Sequence, residues 1–319
     1  HRVDRRQRQM CIRDRSHGLL LQVLLNTQEA LQASADGPTP PLGTHMDAFV
    51  DALMTLVANL TTTVSGSTMV VSAGLIPQLL ELACIVSHTN ALVQRTSARA
   101  IGLLDSLLYS YPPALEQFTA ARGMDVLVAR TVQCVDDAVS RNAPLPFGAT
   151  NVLRQLLRLF HHLMTTTGLA DGLRNLIDTP LVPALRTIME QRALFGTSVL
   201  AQAITIMASF VHNEPTQLVT IQEHKLPDAF LGVVQDGLEP SFELLNALTT
   251  AIGALCLNEA GLHHMTSQPI VPHVLRVLTD ERYHRVLLDR DNANIFGTAV
   301  DELVRHHPSP VSYTHLRAH

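Results

Sequence analysis

The sequence predicts an all-α fold made of tandem helical units, and three observations carry that expectation. One phrase recurs along the chain: GLIPQLLELA (74–83), TPLVPALRTI (179–188), HKLPDAFLGVV (224–234) and QPIVPHVLRVL (268–278). Each sets a proline, Pro77, Pro183, Pro227 or Pro272, inside a short apolar lead-in, and the last three are 44 and 45 residues apart. Proline suits the first turn of a helix, where its missing N–H is not needed, so each phrase marks a helix start. Between the phrases, apolar residues recur every three or four positions, as in Leu245, Leu248, Ile252 and Leu255 or Cys256, which lie on one helical face. Finally, the 319 residues are 46% hydrophobic but only 4% aromatic, with no tryptophan. Such a composition suits many similar helices packed on one another better than one large aromatic core.

The units read in threes. In residues 214–258, a short helix spans about 215–223, a second runs from Pro227 to about Gln235, and a third runs from Pro240 to about Leu257. The same triplet fits 112–167, 168–212 and, with an insertion, 259–307. A fifth copy of the phrase, RGMDVLVARTV (122–132), lacks the proline and begins at Gly123, 49 residues after Gly74. A period of about 44–50 residues with three helices is the armadillo signature, whereas HEAT repeats of similar length carry two. The expected fold is an all-α, armadillo-like α-α superhelix, a solenoid of about five three-helix repeats. It occupies residues 45–310. Residues 16–44 hold a partial first helix and the Pro/Gly-rich loop ASADGPTPPLGTH (33–45), and RNAPLPFG (141–148) is a shorter break inside one repeat.

The two ends stand apart. Residues 1–15, HRVDRRQRQMCIRDR, hold six arginines, and residues 311–319, VSYTHLRAH, follow a Pro-Ser-Pro break. Both resemble translated sequencing-adapter DNA and are set aside from the fold as an artefact. Residues 16–310 then carry 16 basic and 26 acidic side chains, a net of −10. An acidic body speaks against binding nucleic acid through its phosphates and favours basic protein partners. No stretch of 18 apolar residues marks a membrane span; the most apolar run, Phe242 to Leu257, reads as a buried helix. No signal peptide is visible, and Cys11, Cys84, Cys134 and Cys256 form no CxxC pair. The expected location is the cytoplasm, the nucleus or both, with reduced thiols.

Chemical motifs point away from catalysis. ALCLNEAGLHHM (254–265) gathers a cysteine, an asparagine, a glutamate and two histidines. However, Asn213 and Asn258 occupy equivalent places 45 residues apart, so Asn258 ends a third helix as a left-handed cap and Glu259 faces the next helix dipole. Cys256 belongs to the buried stripe. The adjacent pairs His161–His162, His263–His264 and His306–His307 diverge by about 100° on a helix and make poor chelates. Cys84 and His88 have i,i+4 spacing, which on a helix would place two ligands on one face, but no third ligand is nearby in sequence. No HExxH, GxSxG or phosphate-loop motif occurs, and Lys225 is the only lysine. The carboxylate pairs Asp136–Asp137 and Asp301–Glu302 read as solvated faces. No catalytic, metal or cofactor site is expected, and no cofactor or small molecule.

A binding reading rests on the third helices, which line the concave face of an armadillo stack. Their polar positions form a ladder that can grip an extended peptide: Asn151, Arg154, Arg158 and His162, then Gln202, Thr205 and Ser209, then Thr249, Asn294, Thr298 and Asp301. A plain solvated helix face is the competing reading of the same residues.

One long stretch carries a resemblance. The segments FVHNEPT, LPDAF and GALCLNEAGL within 200–262, with GTAVDELVRHHPS within 291–309, resemble the N-terminal solenoid of the giant HECT-type E3 ubiquitin ligases of the Tom/Huwe type, a segment known as a domain of unknown function. The resemblance implies a non-catalytic solenoid that scaffolds such a ligase and recruits protein substrates to a C-terminal HECT domain, with other domains of the parent ligase as further partners. From the charge and hydropathy above, no membrane and no direct nucleic-acid partner are expected. The contexts ACI, QCV and LCL do not resemble the threonine-cysteine motif of a HECT active site, so no catalytic residue carries over. Two alternatives stay open: a free-standing armadillo adaptor, whose nuclear-import subtype the lack of tryptophan disfavours, and a helical enzyme with an unrecognised site.

Overall fold

The computed structural model describes residues 2–35, 44–165, 176–213, 218–257, 259–267, 273, 276–277, 279–288 and 290–306. The described residues are helical and contain no strand. The chain divides into two compact units, residues 1–130 with 146–159, and residues 131–145 with 160–319.

The first unit contains α1 (Arg2–Ala35), α2 (Thr44–Leu60), α3 (Val64–Ser72), α4 (Leu75–Cys84), α5 (Ala91–Ser110) and α6 (Pro112–Ala120). It also takes the beginnings of α7 (Gly123–Arg141) and α8 (Phe147–Thr165), whose later turns belong to the second unit. Helices α3, α4 and α5 make one complete triplet, and α2 is the third helix of the triplet before it. Leu75, Ile76, Leu79, Ile101 and Leu104 are fully buried between α4 and α5, and Leu153, Leu156 and Leu157 do the same on α8. Each such leucine removed from water contributes roughly 1.5–3 kcal/mol.

The second unit contains α9 (Leu181–Glu190), α10 (Thr197–Asn213), α11 (Leu218–Glu223), α12 (Leu226–Asp236), α13 (Phe242–Cys256), α14 (Glu259–Ser267), α15 (Glu281–Leu287) and α16 (Arg290–His306). Helices α11, α12 and α13 match the triplet expected in 214–258. The predicted stripe Leu245, Leu248, Ile252, Leu255 and Cys256 is buried throughout. Third helices α10, α13 and α16 pack side by side in that order. The first helix expected at the start of 168–212, and the phrase around Pro272, lie outside the described residues.

The repeat period is written into the hydrogen bonds. Tyr111 Oη donates to Thr68 Oγ1 across 43 residues at 3.0 Å, and Arg99 Nη2 donates to Thr55 Oγ1 across 44 at 2.9 Å. Arg192 Nη1 donates to Asp236 across 44 at 3.2 Å, and Tyr283 Oη donates to the Leu238 carbonyl across 45. Each joins equivalent places in successive units, which is how a solenoid is held together.

The turn before each second helix has its own signature. Gly74, Arg122 and Lys225 immediately precede α4, α7 and α12, and all three are left-handed, with φ of 106°, 51° and 56°. By conformation, then, the counterpart of Gly74 in the proline-free copy is Arg122, not Gly123. Pro77 and Pro183 are the third residues of α4 and α9, and Pro227 is the second of α12, all in the first turn as expected.

Three expectations change. Helix α1 does not stand outside the array: Leu24 and Leu31 are fully buried, and α1 packs on α4 and α5. The side chains of Gln28 and Gln78 hydrogen-bond across that contact. Asn213, at the place equivalent to the left-handed cap expected of Asn258, is not itself left-handed. It closes α10 in helical conformation and donates from Nδ2 to the Met164 carbonyl at the end of α8, 3.4 Å away. Its repeat partner Asn258 lies outside the described residues. Cys84 and His88 do not share a helical face, because α4 ends at Cys84 and Ile85 is extended, with ψ of 123°.

Candidate protein-binding face

In the first unit the third helices α2, α5 and α8 bring a set of charged and amide side chains together. Asp47, Asp51 and Thr55 step along one face of α2 at intervals of four, and Arg95 and Arg99 do so on α5. Arg99 is the best-held of these. Its Nη1 lies 2.8 Å from Asp51 Oδ1 and its Nη2 2.9 Å from Thr55 Oγ1. Arg95 sits more loosely, 3.5 Å from Asp51 and 3.6 Å from Asp47. On α8, Arg154 Nη2 donates to Asn151 Oδ1 at 3.0 Å, and Arg158 Nε lies 3.6 Å from Asp105 Oδ2.

Arg95, Arg99, Asp105, Asn151 and Arg158 border a groove of about 370 Å³. Its polar lining is Arg95, Arg99, Asp105, Asn151, Gln155 and Arg158, and Met54, Ala58 and Leu103 supply apolar surface. The close approach of α8 to α5 depends on Gly148, where a Cβ would run into the side chain of Gln94. Asp105 is the one carboxylate in the lining and is only 8% exposed. Removing a carboxylate from water is costly unless a cation or hydrogen bonds compensate it, and Arg158 provides the cation.

Of the ladder expected from sequence, Asn151 and Arg158 line this groove, and Arg154 is tied to Asn151 beside it. Arg95, Arg99, Asp105 and Gln155 are further groove residues that the sequence reading passed over. The signal was there: RTSAR (95–99) places two arginines one turn apart on the helix before Tyr111 and Pro112.

In the second unit the ladder is more neutral. Gln202, Thr205 and Ser209 lie half-buried along α10. Thr205 Oγ1 donates to the Ala201 carbonyl at 2.8 Å and Ser209 Oγ to the Thr205 carbonyl at 3.0 Å. Their protons are therefore committed to their own helix, and the hydroxyl oxygens remain as acceptors. Asn294, Thr298 and Asp301 are exposed on α16.

Thr249 needs correcting. It is 4% exposed and donates to the Asn246 carbonyl at 3.0 Å. Helix α13 is rotated so that Asn246 and Thr250 face outward in its place. His162 is half-buried beside His161, whose own pKa is lowered by burial and then by the charge of His162. The neutral imidazole is thus the form His161 favours. The Cys256 thiol is pushed up to about 11 by burial, the opposite of what an attacking thiolate requires.

Helices in threes with a 43–45-residue register and polar third-helix faces define an armadillo-like repeat protein. A computationally designed armadillo repeat protein, whose description is for modular peptide recognition, superposes with a TM-score of 0.53 over 85% of this chain and 98% of its own, at 12% identity. The chain belongs to the Domain of Unknown Function family DUF913, whose model matches residues 98–310. It is 30% identical over 82% of its length to the E3 ubiquitin-protein ligase ptr1 of Schizosaccharomyces pombe, and 28% identical over 92% to the E3 ubiquitin-protein ligase TOM1 of Saccharomyces cerevisiae. It covers 8% and 9% of those relatives' own lengths. The resemblance to the giant HECT-type ligases of the Tom/Huwe type therefore holds over most of this sequence.

Proposed function

We propose that this chain is a non-catalytic segment of a HECT-type E3 ubiquitin-protein ligase, a solenoid that scaffolds the ligase and recruits protein substrates. Ubiquitin transfer belongs to a HECT domain carried by the parent protein, and the other domains of that protein are the second class of partner. The observation that carries this reading is the 30% identity to a ubiquitin-protein ligase across 82% of this chain. The grooved third-helix face supports it physically. An extended segment laid on a row of helices meets amides and charged side chains at regular intervals and needs no folded surface of its own. The reading places the protein in the cytoplasm, the nucleus or both, with no nucleic acid, membrane or small molecule as a direct partner.

The test is to delete the region equivalent to residues 45–310 from a full-length parent ligase. Thioester formation with ubiquitin should persist, while ubiquitination of substrates captured by the intact protein should fall at least tenfold. If every captured substrate were modified at the original rate without this region, recruitment would not be its role.

A further inference from the structure

We propose that Lys225 is an acceptor site at which the parent ligase attaches ubiquitin to itself. The inference rests on the ligase reading proposed above and names the acceptor within this segment.

The single lysine is placed unlike the arginines. Residues 16–310 carry 16 basic side chains, of which Lys225 is the one lysine. Arginines hold helices and turns together: Arg99 meets Asp51 at 2.8 Å, Arg192 meets Asp236 at 3.2 Å, and Arg141 and Arg186 each pair with a carboxylate four residues away on their own helix. Lys225 does none of this. Its side chain is exposed, and among the described residues its Nζ takes part in no hydrogen bond or ion pair. Its backbone, by contrast, is fixed at both ends. The Lys225 N–H donates to the Gln222 carbonyl at 2.8 Å, and the Lys225 carbonyl accepts from the Ala229 N–H at 3.1 Å. The result is a free primary amine on a flexible stem, carried by an ordered turn between α11 and α12.

The fold does not require lysine at this turn. Arg122 takes the same left-handed conformation at the equivalent place, with φ of 51° against 56°, and Gly74 takes it without a side chain at all. What lysine can do there and arginine cannot is act as a nucleophile. An ammonium that sheds a proton becomes a reactive amine, whereas a guanidinium stays charged. After losing one proton to solvent, the Lys225 amine attacks the carbonyl carbon of the thioester that joins the C-terminus of ubiquitin to the ligase cysteine. A C–N bond forms and the C–S bond breaks. The cysteine sulfur leaves with the second proton that the nitrogen sheds. The products are an isopeptide bond at Lys225 and a free ligase thiol, and neither oxidant nor reductant is needed.

The test incubates a full-length parent ligase containing this region with ubiquitin, ATP and the activating and conjugating enzymes, then digests it with trypsin. Trypsin leaves a Gly-Gly stub on each lysine that carried ubiquitin, and mass spectrometry locates the stub. It should appear on Lys225 and be lost when the catalytic cysteine of the HECT domain is replaced by alanine. Lys225→Arg should remove the stub from this region with thioester formation and the melting curve unchanged, since Arg122 already holds the same conformation. A ligase that forms its thioester and marks its other lysines while Lys225 stays bare would overturn the proposal. So would a stub on Lys225 that persists without the catalytic cysteine. A parent protein that forms no ubiquitin thioester would overturn the ligase reading and this one with it. Recruitment can fail in the deletion experiment with Lys225 still marked, so the two readings are separable.

Discussion

Asn90 at the start of α5 reaches Ser34 at the end of α1, with Nδ2 3.3 Å from Ser34 Oγ. The same side chain accepts from the backbone N–H groups of Leu92 and Val93 at 3.0 and 3.3 Å, so one residue caps a third helix and ties it to the first helix of the chain. Asn90→Ala removes both functions and should lower stability by about 1–2 kcal/mol. Ser34→Ala removes only the tie and should cost less. Urea denaturation followed by circular dichroism reads both, and equal effects would mean that the cap does not matter.

Leu248 is fully buried on α13, a helix that packs against both α10 and α16. Leu248→Ala should destabilise by ~2–5 kcal/mol, the transfer term plus the cavity left behind. An unaltered thermal melt would show that the assigned core face of α13 is wrong.

Lys225 is left-handed, with φ of 56°, at a turn where Gly74 serves the same purpose three repeats earlier. A side chain with a Cβ is strained there. Lys225→Gly should therefore raise stability by up to about 1 kcal/mol, after the extra freedom it gives the unfolded chain is subtracted. Lys225→Val should lower it, because β-branched residues tolerate this region least. Differential scanning calorimetry should rank the three proteins Gly, Lys, Val from highest Tm to lowest.

Burial holds the Cys256 thiol at about 11, above its ordinary value of 9.0. Between those values the folded chain keeps a proton that the unfolded chain has lost, so stability falls as pH rises from about 9 to 11. The loss is on the order of 1–3 kcal/mol. Cys256→Ala should flatten that part of the pH–stability curve. In the native protein at pH 8, Cys256 should resist alkylation by iodoacetamide and react only on unfolding; rapid labelling of the folded chain would show that the thiol is not shielded.

Much of this architecture was legible in the sequence because its signals are local. Pro77, Pro183 and Pro227 could be read as helix starts because a missing N–H is tolerated only in the first turn. The stripe from Leu245 to Cys256 could be read as core because a helix repeats every 3.6 residues. The candidate face was legible only in part. That Asn151 and Arg158 share a helix could be read because α8 is long and regularly patterned. Arg95 and Arg99 were passed over because their helix sits in a triplet whose proline phrase precedes it without an obvious partner upstream.

The sequence by itself determined which residues share a helical face and how often the unit recurs, since both follow from backbone geometry and chain spacing. The tertiary structure alone decided how each helix is rotated against its neighbours. Packing of α13 between α10 and α16 turned Thr249 inward and Asn246 and Thr250 outward. It also decided that Arg158 stands over Asp105, 53 positions away in the chain, and that Arg99 meets Asp51. Periodicity gives only the angle between residues on one helix; the absolute rotation, and with it the groove, is set by which apolar surfaces interlock.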